Sequence, residues 1–597
     1  MTDNERQESV APTQPLGQST TRRKVMGGSI AAGLGIFGGA MMRGGVLAAP
    51  SGTGKAMRTA AQDAEAAATP AAQQVLVLPD DTSITKVLDF YVAVYERPSS
   101  AASDIFSEPL VRLNRDFDVL PASAESWESA EDGLTWTFKI REGLTWSDDN
   151  PVTANDWIAT FQSSVSPEAA WDFTWFFQGV LKNWTEAVNG DVAPDQIGVH
   201  QGANEYELVF ETVAPAPYLP AMLLYSNPLS AAGLAANGRL YNTDPETAIS
   251  AGPYILSEWV PDQQITYVRN DKYTGTLPGA VDEIRVTLTS QDNYFTLYQA
   301  GDIDFMRNPA PAALTIMMND EETAKEVYSG VGDFPTYYVF FDVTKEPWTD
   351  IKVRQAWSHA IDRDTLKSQI LGPNGVPAYS WLAPGFPANN TEGLKDIQAY
   401  DPDKAKSLLA EAGFENGDGF PKQTLMLRAP TPLEETVGEA IAAMIKENLN
   451  IDIEVVQQDS QGYMAALTAK PTEIELGFIR YGMDFFDPYN MLSVWLSGGR
   501  HSWSNPDYDA AVKDAAEFLG PTDERIEMFK AAEKILVEDV PAVFVYHGTE
   551  VQFVKPWLGG DFIKPDKNGI QAMHWPNYAT MSTVPGEMFL VEGAPER

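Results

Sequence analysis

The sequence predicts an α/β protein of more than one domain, built on mixed sheets. Three observations carry this. The chain has 597 residues, more than one hydrophobic core usually organises. Short apolar segments of period two repeatedly give way to segments of period 3.6, as in sheets covered by helices on both faces. The stretch Ile351 to Gly372, IKVRQAWSHAIDRDTLKSQILG, reads as two short buried helices set end to end. Asp350 caps the first, whose apolar stripe is Val353, Ala356, Trp357, Ala360 and Ile361. Asp362 restarts the capping, and Gly372-Pro373 stops the second helix.

Composition removes several functions. Acidic residues number 83 against 42 basic, a formal net charge of −41. Phosphate backbones require Lys and Arg, so no nucleic-acid partner is expected. The excess reads as a solvated acidic surface that keeps an exported chain soluble. With no cysteine, disulfides, thiolate zinc sites, thiol nucleophiles and a lipidated N-terminal cysteine are all excluded.

Taken in order, Thr21-Arg22-Arg23-Lys24-Val25-Met26 matches the twin-arginine export pattern, with Arg22 and Arg23 as the signal residues. An apolar, glycine-rich run from Gly27 to Met42 follows, and Val46-Leu47-Ala48 offers a small-residue cleavage site. Left uncleaved, the run is about long enough for a marginal membrane anchor. Ser51-Gly52-Thr53-Gly54-Lys55 fails the phosphate-loop pattern, since Ala49 and Ala56 stand at required positions. Pro50 to Gln74 reads as a flexible tether. Gln74 to Leu78 is a short strand. Leu134, Trp136, Phe138 and Ile140 alternate after an Asp132-Gly133 turn, giving a strand with one buried face. Thr153 and Asp156 form a capping box for a helix reaching Val165. Trp171, Phe173, Trp175, Phe176, Phe177 and Trp184 are read as core, with a stacking platform for a sugar as the competing reading.

Glu205 to Phe210 is a further strand, and Ala214 to Pro228 a proline-punctuated connection. Glu283 to Thr289 is a strand, Asp292 to Ala300 a helix, and Tyr337 to Val343 a buried strand. Asp401, Pro402 and Gly413 bound one helix; Thr431-Pro432 with Glu434 open another, reaching Asn448. Ile451 to Val456 follows as a strand, and Asn505-Pro506 caps a later helix.

Several passages carry a resemblance. They are LPASAESWESAEDGLTWTFKIREGLTWSDDNPVTANDW from Leu120, AGPYIL from Ala251, GDID from Gly301, VRQAWSHAIDR from Val353, DPDKAKSLLAEAGF from Asp401, RYGMDFFDPYN from Arg480, and the run from Arg525 to Tyr546. In wording, order and spacing the chain resembles the family 5 extracellular solute-binding proteins (cluster C), the dipeptide-, oligopeptide- and nickel-binding receptors of ABC importers. The resemblance spans about residues 75 to 560. It departs at Asp342, where the family usually carries Asn, and at Tyr481, where it usually carries Trp.

The resemblance implies a two-lobed periplasmic-binding-protein (Venus-flytrap) fold with an extra subdomain in the N-terminal lobe. The expected division is 1–49 signal segment, 50–73 linker, 74–107 first part of lobe I, 108–246 extra subdomain, 247–333 second part of lobe I, 334–546 lobe II, and 547–597 return to lobe I. Hinge crossings are expected near Phe334 and His547. The implied function is an exported receptor that captures peptides in the cleft and delivers them to ABC permease transmembrane subunits. The alternative is the same receptor class binding an oligosaccharide or other small solute, with a nickel chelate less supported. A monomer in the periplasm or at the cell surface is expected.

The implied ligand residues centre on Asp484, which in the peptide-binding branches holds the ligand's α-ammonium. From the residues alone, an Asp there serves equally to cap a turn. Asp487, before Pro488, reads as structural. Tyr481 and Tyr95 are candidates to line the cleft, and Arg480 and Arg500 are candidate partners for a ligand carboxylate. His200, His359, His501, His547 and His574 make no metal-spaced pair, and neither H-E-x-x-H nor G-x-S-x-G occurs. No enzyme activity, cofactor or metal is expected.

Overall fold

The computed structural model describes residues 70–80, 88–91, 105–114, 116–167, 169–171, 173–330, 332–560 and 588–597. Arg22, Arg23, the signal and tether segments, Tyr95 and His574 lie outside the described residues.

The central element is the strand Thr336–Phe341, TYYVFF, rich in aromatic and β-branched residues as a strand buried on both faces must be. It lies inside a six-stranded mixed sheet. The order is Gly375–Pro377, Ala542–Gly548, Thr336–Phe341, Leu476–Tyr481, Gln423–Arg428, Ile453–Gln458. Thr336–Phe341 runs antiparallel to both neighbours, while Gln423–Arg428 runs parallel to both of its own. One face packs on the helices Ile351–Ala360, Pro402–Glu411 and Pro432–Leu449. The other packs on Pro488–Ser493, Pro506–Glu517 and Thr522–Asp539.

The helix starts follow their caps. Asp350 accepts from Lys352 N at 2.8 Å, and Asp362 from Asp364 N and Thr365 N at 3.1 and 3.0 Å. Asp401 accepts from Lys404 N at 3.0 Å. Thr431 and Glu434 bond reciprocally, with Thr431 N donating to Glu434 at 2.6 Å and Glu434 N to Thr431 Oγ1 at 3.3 Å. Thr153 N donates to Asp156 at 2.9 Å at the start of Ala154–Ser164.

Besides the large sheet, the described residues form three sheets of three or four strands and two of two strands. Val75–Asp80 pairs parallel with Glu283–Leu288, which continues antiparallel into Gln264–Arg269 and Tyr254–Val260. Glu550–Val554 lies between Phe305–Arg307 and Val327–Gly330. An antiparallel sheet of Ala124–Ser129, Thr135–Ile140, Glu207–Glu211 and Val199–Gln201 falls within residues 108–246. The last residues return to the first strand. Leu590 N donates to Gln74 at 2.9 Å, and the Arg597 guanidinium holds Asp304 at 2.6 and 2.9 Å.

The chain leaves the three-stranded sheet for the six-stranded one between Gly330 and Thr336, and returns between Gly548 and Glu550. The two passages are bonded to each other. Gly548 N donates to Pro335 O at 2.9 Å, and Thr336 Oγ1 lies 2.9 Å from His547 Nδ1. Burial lowers the His547 pKa to about 3, so the imidazole is neutral here.

Two local expectations change. Ala214 to Pro228 is not a plain connection. Leu219–Met222 and Leu223–Tyr225 are helical and buried, because the apolar run LPAMLLY needs its backbone polar groups paired internally. The helix expected from Asp292 starts as a tight turn, Gln291–Asn293, and becomes α-helical at Tyr294. Of the aromatic cluster, Trp171, Phe173, Phe176, Phe177 and Trp184 are buried, and Trp175 is 41% exposed.

Candidate ligand-binding site

Strand Leu476–Tyr481 ends beside Gln423–Arg428, and a short loop carries the chain into helix Pro488–Ser493. The loop is pinned at its start. Met483 N donates to Asp333 O at 2.6 Å, and a Cβ on Gly482 would meet Asp333 Oδ2 at 2.3 Å, so a larger residue there would displace that carboxylate.

Asp484 sits half-buried in this loop. Its side chain caps no backbone. Oδ2 accepts from the Tyr481 hydroxyl at 2.5 Å and from Asn490 Nδ2 at 3.2 Å. The same amide accepts from Asp484 N at 2.8 Å and reaches the Tyr481 hydroxyl at 3.3 Å. Tyr481 stacks on Trp381, ring centres 6.2 Å apart, and the Arg500 guanidinium lies 4.8 Å from the Tyr481 ring centre. Burial raises the Asp484 pKa to about 6, against the opposing pull of Tyr481, Asn490 and Arg500.

Asp487, three residues on, does different work. It caps Pro488–Ser493 by accepting from Tyr489 N at 2.9 Å, and takes both Arg525 nitrogens at 2.6 and 3.0 Å. Between the two aspartates, Phe485 stacks on Tyr218 at 5.9 Å and Phe486 on Phe117 at 4.7 Å. The loop thus packs against residues of the 108–246 segment.

The geometry brings Asp484, Tyr481 and Arg500 together and sets Arg480 apart. Successive strand residues face opposite sides of a sheet, so Arg480 points away from Tyr481. It lies 3.6 Å from Asp333 and lines a cavity of about 280 Å³ with Tyr337, Arg428, Glu434 and Ser460. Arg480 and Arg500, both candidate partners for a ligand carboxylate, therefore stand on different sides of the strand. Asn490, which joins this hydrogen-bonded cluster, was not among the expected residues. Its signal was its place at the end of RYGMDFFDPYN, six residues from Asp484, where a helical turn can bring it back. Arg428 and Glu434 carried no such signal, because they come from a distant strand and helix start.

His359 and His501 hold packed positions. His359 Nδ1 lies 2.5 Å from Ala399 O, and His501 stacks on Trp495 with Nε2 3.1 Å from the Tyr338 hydroxyl. Among the described residues no group of three His, Asp or Glu could hold a metal ion, and no helix is long and apolar enough to cross a membrane.

Comparison with known proteins gives the class. The family described as bacterial extracellular solute-binding proteins, family 5, middle region, matches residues 118–503, and the chain belongs to it. It has the two-lobed fold of the periplasmic binding proteins. Among relatives, the periplasmic oligopeptide-binding protein OppA of Escherichia coli is 27% identical over 515 residues, 84% of this chain and 92% of that one. The periplasmic murein peptide-binding protein MppA of Escherichia coli is 28% identical over 469 residues, 76% of this chain and 84% of that one. Among solved structures, the unliganded open form of the murein tripeptide binding protein MppA superposes with a TM-score of 0.71 at 25% identity, covering 88% of this chain and 99% of that one. The complex of Haemophilus influenzae OppA with RPPGFSPFR has the same fold, with a TM-score of 0.66 at 20% identity over 88% of this chain and 100% of that one.

Proposed function

We propose that this chain is the exported receptor of an ABC importer, capturing peptides in the cleft between its lobes and delivering them to the transmembrane permease subunits. The observation that carries the reading is Asp484, a half-buried carboxylate whose hydrogen-bond partners are both neutral. Such a group suits a ligand ammonium, because a charge-assisted hydrogen bond offsets the desolvation of both ions. The printed names of the relatives, oligopeptide-, murein peptide- and dipeptide-binding, agree with that chemistry.

In this reading Arg480 serves the other end of the ligand together with Arg428, and Arg500 supports Tyr481. The lobes divide at the expected boundaries, with the paired passages at Phe334 and His547 as the hinge. Closure signals to the permease only if the ligand favours the closed state. Export runs through Arg22 and Arg23 by the twin-arginine route, to the periplasm or cell surface, and the receptor acts as a monomer that binds without turnover. An oligosaccharide platform has less support, since five of the six clustered rings lie in the core.

Native mass spectrometry of the purified protein, with gentle ligand release, tests the reading. A ladder of peptide masses is the expected result; a hexose-spaced mass would replace it with the sugar reading. Asp484→Asn should weaken binding of free-amine peptides about 100-fold and leave N-acetylated peptides unaffected.

A further inference from the structure

We propose that Tyr481 and Asn490 are positioning residues that make Asp484 a single-point acceptor for a primary ammonium. The inference rests on the peptide reading above and sharpens which cation the site takes.

Both side-chain donors land on one oxygen. Tyr481 and Asn490 occupy Oδ2, and among the described residues no hydrogen bond falls on Oδ1. The Asn490 amide also holds the Asp484 backbone N–H, so one side chain fixes both the backbone and the carboxylate. Asn490 is buried within helix Pro488–Ser493, and Tyr481 is clamped between the Trp381 ring and the Arg500 guanidinium. The carboxylate therefore offers one oxygen in one direction. A guanidinium fork uses both oxygens of a carboxylate, whereas an ammonium needs one. The arrangement accepts a peptide α-ammonium and disfavours a guanidinium in its place.

The same contacts set the pH at which the acceptor works. The titratable and charged groups around Asp484 are Tyr481 on its own strand, Arg500 with Tyr338 behind it, and Asp333 from the segment before Thr336. Burial disfavours the carboxylate most and Asp333 adds to that, while the Tyr481 and Asn490 hydrogen bonds and Arg500 favour it. Ammonium binding should fall as pH drops through about 6, where Asp484 takes up a proton. It should fall again above about 8, where a peptide α-amine loses its own.

The test uses the mature chain and three probes: a mixed library of tri- to pentapeptides with free N-termini, the same library N-acetylated, and the same library N-terminally converted to guanidines. Affinities are measured by calorimetry from pH 4.5 to 8.5. For the unaltered protein, the free library should bind about 100-fold tighter than the acetylated one at pH 7.5 and at least about tenfold tighter than the guanidino one. Its acid limb should have a midpoint near 6. Tyr481→Phe should move that midpoint up by about one pH unit and narrow the gap between ammonium and guanidinium, because Oδ2 loses one of its two donors. Asn490→Ala should also move the midpoint up, because it removes the other Oδ2 donor, and this variant keeps the test available if Tyr481→Phe does not fold. Midpoints unmoved in both variants, with the guanidino library bound as in the unaltered protein, would overturn the positioning role. Equal binding of free and acetylated libraries by the unaltered protein would overturn the ammonium reading beneath it, so the two failures are distinguishable.

Discussion

Asp484 and Asp487 are the same residue type three positions apart, and their partners separate their roles. Asp487 is spent on Arg525 and a helix start, whereas Asp484 keeps an oxygen available. Asp487→Ala should destabilise the protein by about 3 kcal/mol in urea melts, because it leaves Arg525 buried without its partner. Asp484→Asn should not destabilise, since it removes a half-buried charge that nothing in the fold requires. A second buried acid makes a pH prediction. Glu533 lies in the core, where one oxygen accepts from Leu382 N at 2.7 Å and the other has no partner; burial raises its pKa to about 8. A folded pKa above the unfolded one stabilises the protein at low pH, and that contribution is lost as pH rises from about 4.5 towards 8. Glu533→Gln should leave stability at pH 5 nearly unchanged and raise it at pH 9 by on the order of 2 kcal/mol, read from denaturant melts.

At the scale of elements, caps were legible because they act within a few residues. Asp350, Asp362, Asp401 and the Thr431–Glu434 pair all stand where the sequence placed them. Asp401→Ala should cost about 1 kcal/mol, measured by thermal unfolding. The Arg480 side was also decidable in principle. Strand alternation puts it opposite Tyr481, but grouping residues by proximity in sequence overlooked that period. Backbone strain was not legible. Phe334 at φ 48 and Phe117 at φ 62 are buried aromatics in the left-handed region, with ring centres 5.0 Å apart. Packing against Phe386 and Phe486 helps hold these bulky residues there, together at Phe117 with a turn in which Phe117 N donates to Asn114 O at 3.0 Å. Phe334→Ala should cost about 3 kcal/mol, and Phe334→Gly should cost less than Phe334→Ala, reversing the usual order because glycine relieves the left-handed backbone.

At the scale of the whole molecule, the contact between Phe486 and Phe117 joins the loop that carries Asp484 to the 108–246 segment at the side where the chain passes between sheets. Small-angle scattering should show a smaller radius of gyration when saturating peptide is added. Phe486→Ala should enlarge the unliganded particle, because it removes a ring stack that holds these parts together without ligand. An unchanged scattering profile in that variant would mean that the stack plays no part in setting the open–closed balance.

The sequence by itself determined the α/β class, the capped helix starts, the burial of most of the aromatic cluster and the family, because each is written in local periods, caps and ordered passages of wording. It also made Asp484 the leading ligand candidate, through one motif. Tertiary structure alone decided which oxygen of Asp484 is taken, that Asn490 and Tyr481 take it, and that Arg480 shares a cavity with Arg428 and Glu434. Those relations join side chains from separate strands and helix starts. Their geometry depends on strand register, loop pinning by Asp333 and the packing of both sheet faces, none of which a linear pattern encodes.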